Sequence, residues 1–68
     1  MVNTNKLRGV IRERGLTIEQ AAKVANISPS TMHRKLNSGI FGTDEIDRLV
    51  DGLSIQNPTE IFFVREVT

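Results

Sequence analysis

The 68-residue chain has no cysteine, no tyrosine, a single histidine, and no apolar run approaching the ~18 residues that would read as a membrane span. Without cysteine there is no disulfide and no thiolate zinc site to staple a small fold. A chain this short is one domain, residues 1–68, and buries only about 60% of the surface its unfolded form exposes, so tight helix packing or dimerisation must supply the stability. No signal-peptide pattern opens the sequence, which makes a soluble intracellular protein the expectation, without a membrane partner. One histidine, no cysteine and no tyrosine leave little nucleophilic or acid–base chemistry, and no glycine-rich phosphate loop is present. An enzyme is not expected, nor is a cofactor. Asp44, Asp47 and Asp51 share one helical face, but no EF-hand spacing or glycine turn accompanies them, so they read as a solvated acidic face.

The charge that is present is lopsided. Residues 1–42 hold Lys6, Arg8, Arg12, Arg14, Lys23, Arg34 and Lys35 against Glu13 and Glu19, a surplus of five positive charges. Residues 43–68 hold Arg48 and Arg65 against Asp44, Glu45, Asp47, Asp51, Glu60 and Glu66, a surplus of four negative charges. A basic half and an acidic half suit a nucleic-acid face turned away from an acidic rear. Chance segregation of charge in a small helical domain is the plain alternative.

Helix signals recur along the chain. Leu7, Val10 and Ile11 give an apolar stripe over about 4–14, with Gly15 at the position that ends a helix. Thr17-x-x-Gln20 is a capping box, followed by the narrow inner face of Ala21, Val24 and Ala25. Asn26 takes the turn, since asparagine tolerates the left-handed conformation, and Ile27 plugs the space between two helices. Ser28-Pro29 is a preferred cap and first residue for a third helix over 28–38, whose Met32 and Leu36 face inward. Thr43 is the expected cap of a fourth helix, with Asp44 and Glu45 in its first turn, Ile46, Leu49, Val50 and Leu53 on its buried stripe, and Gly52 near its end. Asn57-Pro58-Thr59-Glu60 opens a short fifth helix over about 58–63. Ile61-Phe62-Phe63-Val64 cannot all face one core from so short a helix, and the tail beyond reads equally as strand or coil. Five short helices in this length predict an all-α domain with small loops and a short C-terminal tail.

The third helix carries the chemistry. At 100° per residue from Met32, the side chains of Ser30, Arg34 and Asn37 project to the opposite side, with His33 and Thr31 on the flanks. Short polar groups at its start (Ser28, Ser30, Thr31) permit close approach to a groove. Arg34 can bond guanine O6 and N7 together, while Asn37 and His33 can add base or backbone contacts. Lys23 and Lys35 can hold flanking phosphates. A merely solvated helix face is the alternative.

Residues 16–37, Leu-Thr-Ile-Glu-Gln-Ala-Ala-Lys-Val-Ala-Asn-Ile-Ser-Pro-Ser-Thr-Met-His-Arg-Lys-Leu-Asn, resemble the phage-repressor and Cro-type helix-turn-helix family, the XRE family. The helix-turn-helix itself covers about 17–37. The opening Asn5-Lys6-Leu7-Arg8-Gly9 and the closing Glu60-Ile61-Phe62-Phe63 look like a small Gram-positive phage or mobile-element variant, so the likeness extends over most of the chain. It implies a compact five-helix lambda-repressor-like domain in the bacterial cytoplasm, associated with the nucleoid when bound to DNA. It implies Ala22 as the small residue packing against the third helix, and base contacts from Pro29, Ser30, His33, Arg34 and Asn37. Two positions depart from the pattern. Ile18 stands where relatives often use a glutamine to clasp a phosphate, and Pro29 where arginine or glutamine is common.

Two functions follow as expectations. The first is a sequence-specific DNA-binding transcriptional regulator, a Cro-like or phage switch repressor, acting as a homodimer on a double-stranded operator. The second is a protein-binding modulator or antirepressor that pairs with a larger phage repressor and changes its operator binding. Ile61, Phe62, Phe63 and Val64 are the candidate partner or dimer surface; completion of the core by the phenylalanines is the equal alternative.

Overall fold

A computed structural model describes residues 2–62. Among these residues the chain is all helical, with α1 (Thr4–Glu13), α2 (Ile18–Val24), α3 (Pro29–Ser38), α4 (Thr43–Gly52) and α5 (Pro58–Phe62). Asn3 caps α1, its side chain accepting the Lys6 N–H. The Thr17–Gln20 capping box forms in both directions, with the Gln20 N–H donating to Thr17 Oγ1 (3.2 Å) and the Thr17 N–H to Gln20 Oε1 (2.9 Å).

One device ends three of the helices. Gly15, Asn26 and Ser54 have φ of 71°, 60° and 53°, and each is followed by an apolar residue. The N–H groups of Leu16, Ile27 and Ile55 reach back to the carbonyls of Ile11, Ala22 and Val50 at 3.1, 3.0 and 3.0 Å. These are Schellman closures, in which a left-handed residue reverses the chain and the next side chain folds onto the helix it has just left. Gly15 and Asn26 match the expectation from sequence, which marked no turn at Ser54.

Gly52 stands at the end of α4, as expected, as its last helical residue, and its role is steric. A Cβ built there would stand 2.2 Å from Val24 Cγ1 of α2. The glycine lets α4 lie close on α2, and Ser54 takes the strained backbone instead. The cap of α4 is corrected. Gly42, not Thr43, is the N-cap, and the Gly42 N–H donates to Glu45 Oε1 at 2.7 Å. The reciprocal acceptor must sit three residues after the cap, which selects Gly42 with Glu45; the residue three after Thr43 is the apolar Ile46.

The core joins Leu7 and Ile11 of α1, Ala21, Ala22 and Ala25 of α2 and its cap, Met32 and Leu36 of α3, Leu49 and Leu53 of α4 and its cap, Ile55, and Ile61 and Phe62 of α5. Val24 and Ile27 are half-buried at its edge. Val2 is buried as well, and the segment before α1 is tied down by two bonds: the Val2 N–H donates to the Gly39 carbonyl (3.0 Å) and the Asn3 N–H to the Ile61 carbonyl (2.6 Å).

That tie settles half of the expected partner surface. Ile61 and Phe62 are buried within the chain itself and are not an exposed interface. Both adjacent residues bury because α5 wedges between two walls: Ile61 faces the cleft beside α1, and Phe62 faces Val2, Phe41 and Ile46. Phe63 and Val64 lie outside the described residues. No helix among those described is long and apolar enough to cross a membrane.

Candidate nucleic-acid interface

Among the described residues the helix pair α2–α3 packs most extensively. Three alanines on one side of α2 leave room for α3 to approach, and Met32 and Leu36, 0% and 1% exposed, fill the space. With that face locked, the other face of α3 is set by helical geometry. Ser30, His33, Arg34 and Asn37 are all exposed, together with Pro29 at the first position. None of the four makes a side-chain hydrogen bond or ion pair among the described residues. Lys23, on α2, is likewise exposed and unpaired.

Three other expected contact residues are already occupied. Ser28 Oγ accepts the Thr31 N–H (3.2 Å) and donates to Thr31 Oγ1 (2.8 Å), so both hydroxyls serve the cap of α3. Thr31 is half-buried. Lys35 turns toward α4, where Nζ lies 2.8 Å from Glu45 Oε1, with the two side chains 21% and 15% exposed. A half-buried pair at this distance holds the lysine away from any ligand on the outward face. Lys35 is therefore a brace of α3 rather than an outward cation.

Glu45, expected from sequence only as an acid in the first turn of α4, does more than that. Its carboxylate accepts from both the Gly42 N–H and Lys35, joining the start of α4 to the last turn of α3. Burial pushes its carboxyl up, but the Lys35 ammonium, the Gly42 N–H and the nearby Arg48 outweigh that and hold it below the usual carboxylate range. The spacing from Gly42 to Glu45 carried the signal; a threonine at 43 masked it.

Two further arginines of the charge tally brace helix ends. Arg14 Nε donates to the Leu53 carbonyl (2.8 Å) and Nη2 to the Ser54 carbonyl (3.2 Å), closing the C-terminus of α4. Arg48 Nη1 donates to the Ala25 carbonyl (3.4 Å) at the end of α2. The acidic and basic halves are thus interlocked rather than opposed, since Glu45 and Glu60 pair with Lys35 and Lys6.

The loop between α3 and α4 presents Ile40, 69% exposed, beside the half-buried Phe41. Among the described residues no cluster of three or more histidine or acidic side chains stands together as a metal site. The exposed face of α3 offers donors and acceptors to a polar surface. No family model matches the chain, and no curated protein and no solved structure matches it.

Proposed function

We propose that the protein is a sequence-specific DNA-binding regulator of transcription with a lambda-repressor-like domain, of the Cro or phage switch-repressor kind, in which α3 enters the major groove. The observation that carries this function is the group Ser30, His33, Arg34 and Asn37. They stand together, exposed and uncommitted, on a helix whose opposite face is locked by Met32 and Leu36. Arg34 fits the paired acceptors of guanine, and Asn37 suits the donor–acceptor pair of adenine. Pro29 and Ser30 are short enough to let the helix approach base edges. Lys23 supplies a phosphate contact beside it. A homodimer on two half-sites one helical turn apart would multiply the few contacts a single domain offers.

Fluorescence anisotropy on duplex DNA from around the protein's own gene, against scrambled duplex at ~50 and ~200 mM salt, tests the proposal. A preference of about 10³ or more for the native duplex is expected, weakening with salt. Arg34→Ala should cost about 1–3 kcal/mol of specific binding. Unchanged binding of that variant would remove Arg34 from base reading.

One observation favours a second function, a modulator that pairs with a larger phage repressor. Ile40 is a large apolar side chain left 69% exposed next to Phe41, and such a patch suits a protein partner. Absence of any DNA preference, with co-elution of the repressor encoded nearby, would favour it over direct operator binding.

A further inference from the structure

The basic side chains of residues 1–42 fall into two groups. Lys6 pairs with Glu60 at 3.8 Å, Arg14 is spent on the carbonyls that end α4, and Lys35 is spent on Glu45. Arg8, Arg12, Lys23 and Arg34 make no ion pair and no side-chain hydrogen bond among the described residues. Lys23 and Arg34 already belong to the α2–α3 surface, which leaves Arg8 and Arg12 unaccounted for.

The division follows the two flanks of α1. Lys6, Glu13 and Arg14 line the cleft toward α5, which Glu60 also lines. Arg8 and Arg12 line the opposite flank, a notch of about 230 Å³ closed by Leu16, Thr17 and Ile18 at the start of α2. Residues four apart on a helix are neighbours, and Arg8 and Arg12 both line this notch, so two like charges are placed side by side and repel one another. No carboxylate lines it. Its apolar walls, Ile11, Leu16 and Ile18, suit the methylene stems of arginine while the charged heads remain in water. Two like charges kept side by side over an apolar floor are complementary to an anion that both can grip.

We propose that Arg8 and Arg12 form a clamp for a backbone phosphate of duplex DNA, extending the α3 surface to the start of α2; the clamp rests on the DNA-binding function above. In a helix-turn-helix the first helix of the pair crosses the sugar–phosphate backbone, and the notch abuts that helix. Guanidinium groups match phosphate with two parallel hydrogen bonds. Ile18 has no donor to offer a phosphate, and the two arginines flank the notch it lines. Bound phosphate also relieves their mutual repulsion.

The test compares salt dependence of duplex binding for the full chain and for Arg8→Gln/Arg12→Gln, with folding of each checked by circular dichroism. Loss of two phosphate contacts lowers the slope of log K against log salt by about 1.8, so raising salt from ~50 to ~200 mM weakens the wild type about tenfold more than the variant. The preference for native over scrambled duplex stays unchanged, because phosphates carry no base information. Arg8→Lys/Arg12→Lys keeps the wild-type slope. Should the double glutamine variant not fold, Arg8→Gln alone, in the middle of α1, lowers the slope by about 0.9. A wild type that binds DNA and glutamine variants that keep its slope would overturn the clamp and leave the function of α3 standing. A wild type with no salt-dependent DNA affinity would overturn both.

Discussion

Replacing Gly52 with alanine should destabilise this protein, although the same change in an open helix stabilises one. The added Cβ would lie 2.2 Å from Val24 Cγ1, with Val24 Cβ and Cγ2 at 3.5 and 3.7 Å. Carbon atoms pack best at about 3.5–4.0 Å, so the first contact must open by more than an ångström. Val24 cannot simply swing aside. It is β-branched and helical, with one strongly preferred rotamer, and its side chain is half-buried against the core. Forcing a methyl group into such a site costs about 1–3 kcal/mol. Against this stands up to ~1 kcal/mol gained by removing glycine from a helix, less here because Gly52 is the last residue of α4. The net loss is about 0.5–2 kcal/mol, and at roughly 4–8 °C per kcal/mol it is plain in a melting curve. Thermal and urea denaturation of Gly52→Ala, Val24→Ala and the double variant would measure it. In the Val24→Ala background the obstructing methyls are gone, and Gly52→Ala should become neutral or stabilise by up to ~1 kcal/mol. Additivity of the two changes within ~0.5 kcal/mol, or a rise in melting temperature from Gly52→Ala alone, would refute the steric account of this glycine.

Other perturbations separate the roles assigned above. Glu45 is held below its ordinary value of 4.5, so its contribution to stability is complete above that pH and disappears as the pH falls through the lower, folded value. Urea titrations from pH 7 to 3 should therefore show a gap between wild type and Glu45→Gln that is constant down to about pH 5 and closes below it; a gap that widens on acidification would contradict the Lys35 and Gly42 contacts. Asn26→Ala should cost about 1–2 kcal/mol because φ is 60° there, while Asn26→Gly should be tolerated. Equal stability of the two variants would show that the turn relaxes to another conformation.

The order of helices in this chain could be read from punctuation. The Thr17–Gln20 box, Ser28-Pro29, Gly15 and Asn26 are local devices, satisfied by residues within one turn of each other, and a single sequence displays them directly. Ser54 was not legible in this way. Its left-handed conformation is imposed by the apolar Ile55 folding back on α4 and by Arg14, from a distant helix, bonding to the carbonyls of Leu53 and Ser54. Ile55 is next in the chain, but Arg14 is not, and a serine does not by itself mark a left-handed turn.

The candidate surface divides along the same line. Helical periodicity alone determined that Ser30, Arg34 and Asn37 face away from Met32 and Leu36, because 100° per residue leaves no choice once the buried pair is known, whereas the flanking His33 and Thr31 were parted by the tertiary structure, one exposed and one half-buried. It also determined five short helices, since caps and stops recur too often for long ones. Only the tertiary structure decided which cations remain available. Lys35 and Arg34 are adjacent in sequence and alike in charge, yet one is drawn to Glu45 across the α3–α4 corner and the other is left in solvent. Likewise Arg14 and Arg12, two residues apart, lie on opposite flanks of α1, one against the end of α4 and one against the start of α2. Caps, turns and faces depend on neighbours along the chain, whereas the fate of a charge depends on what another helix brings within reach.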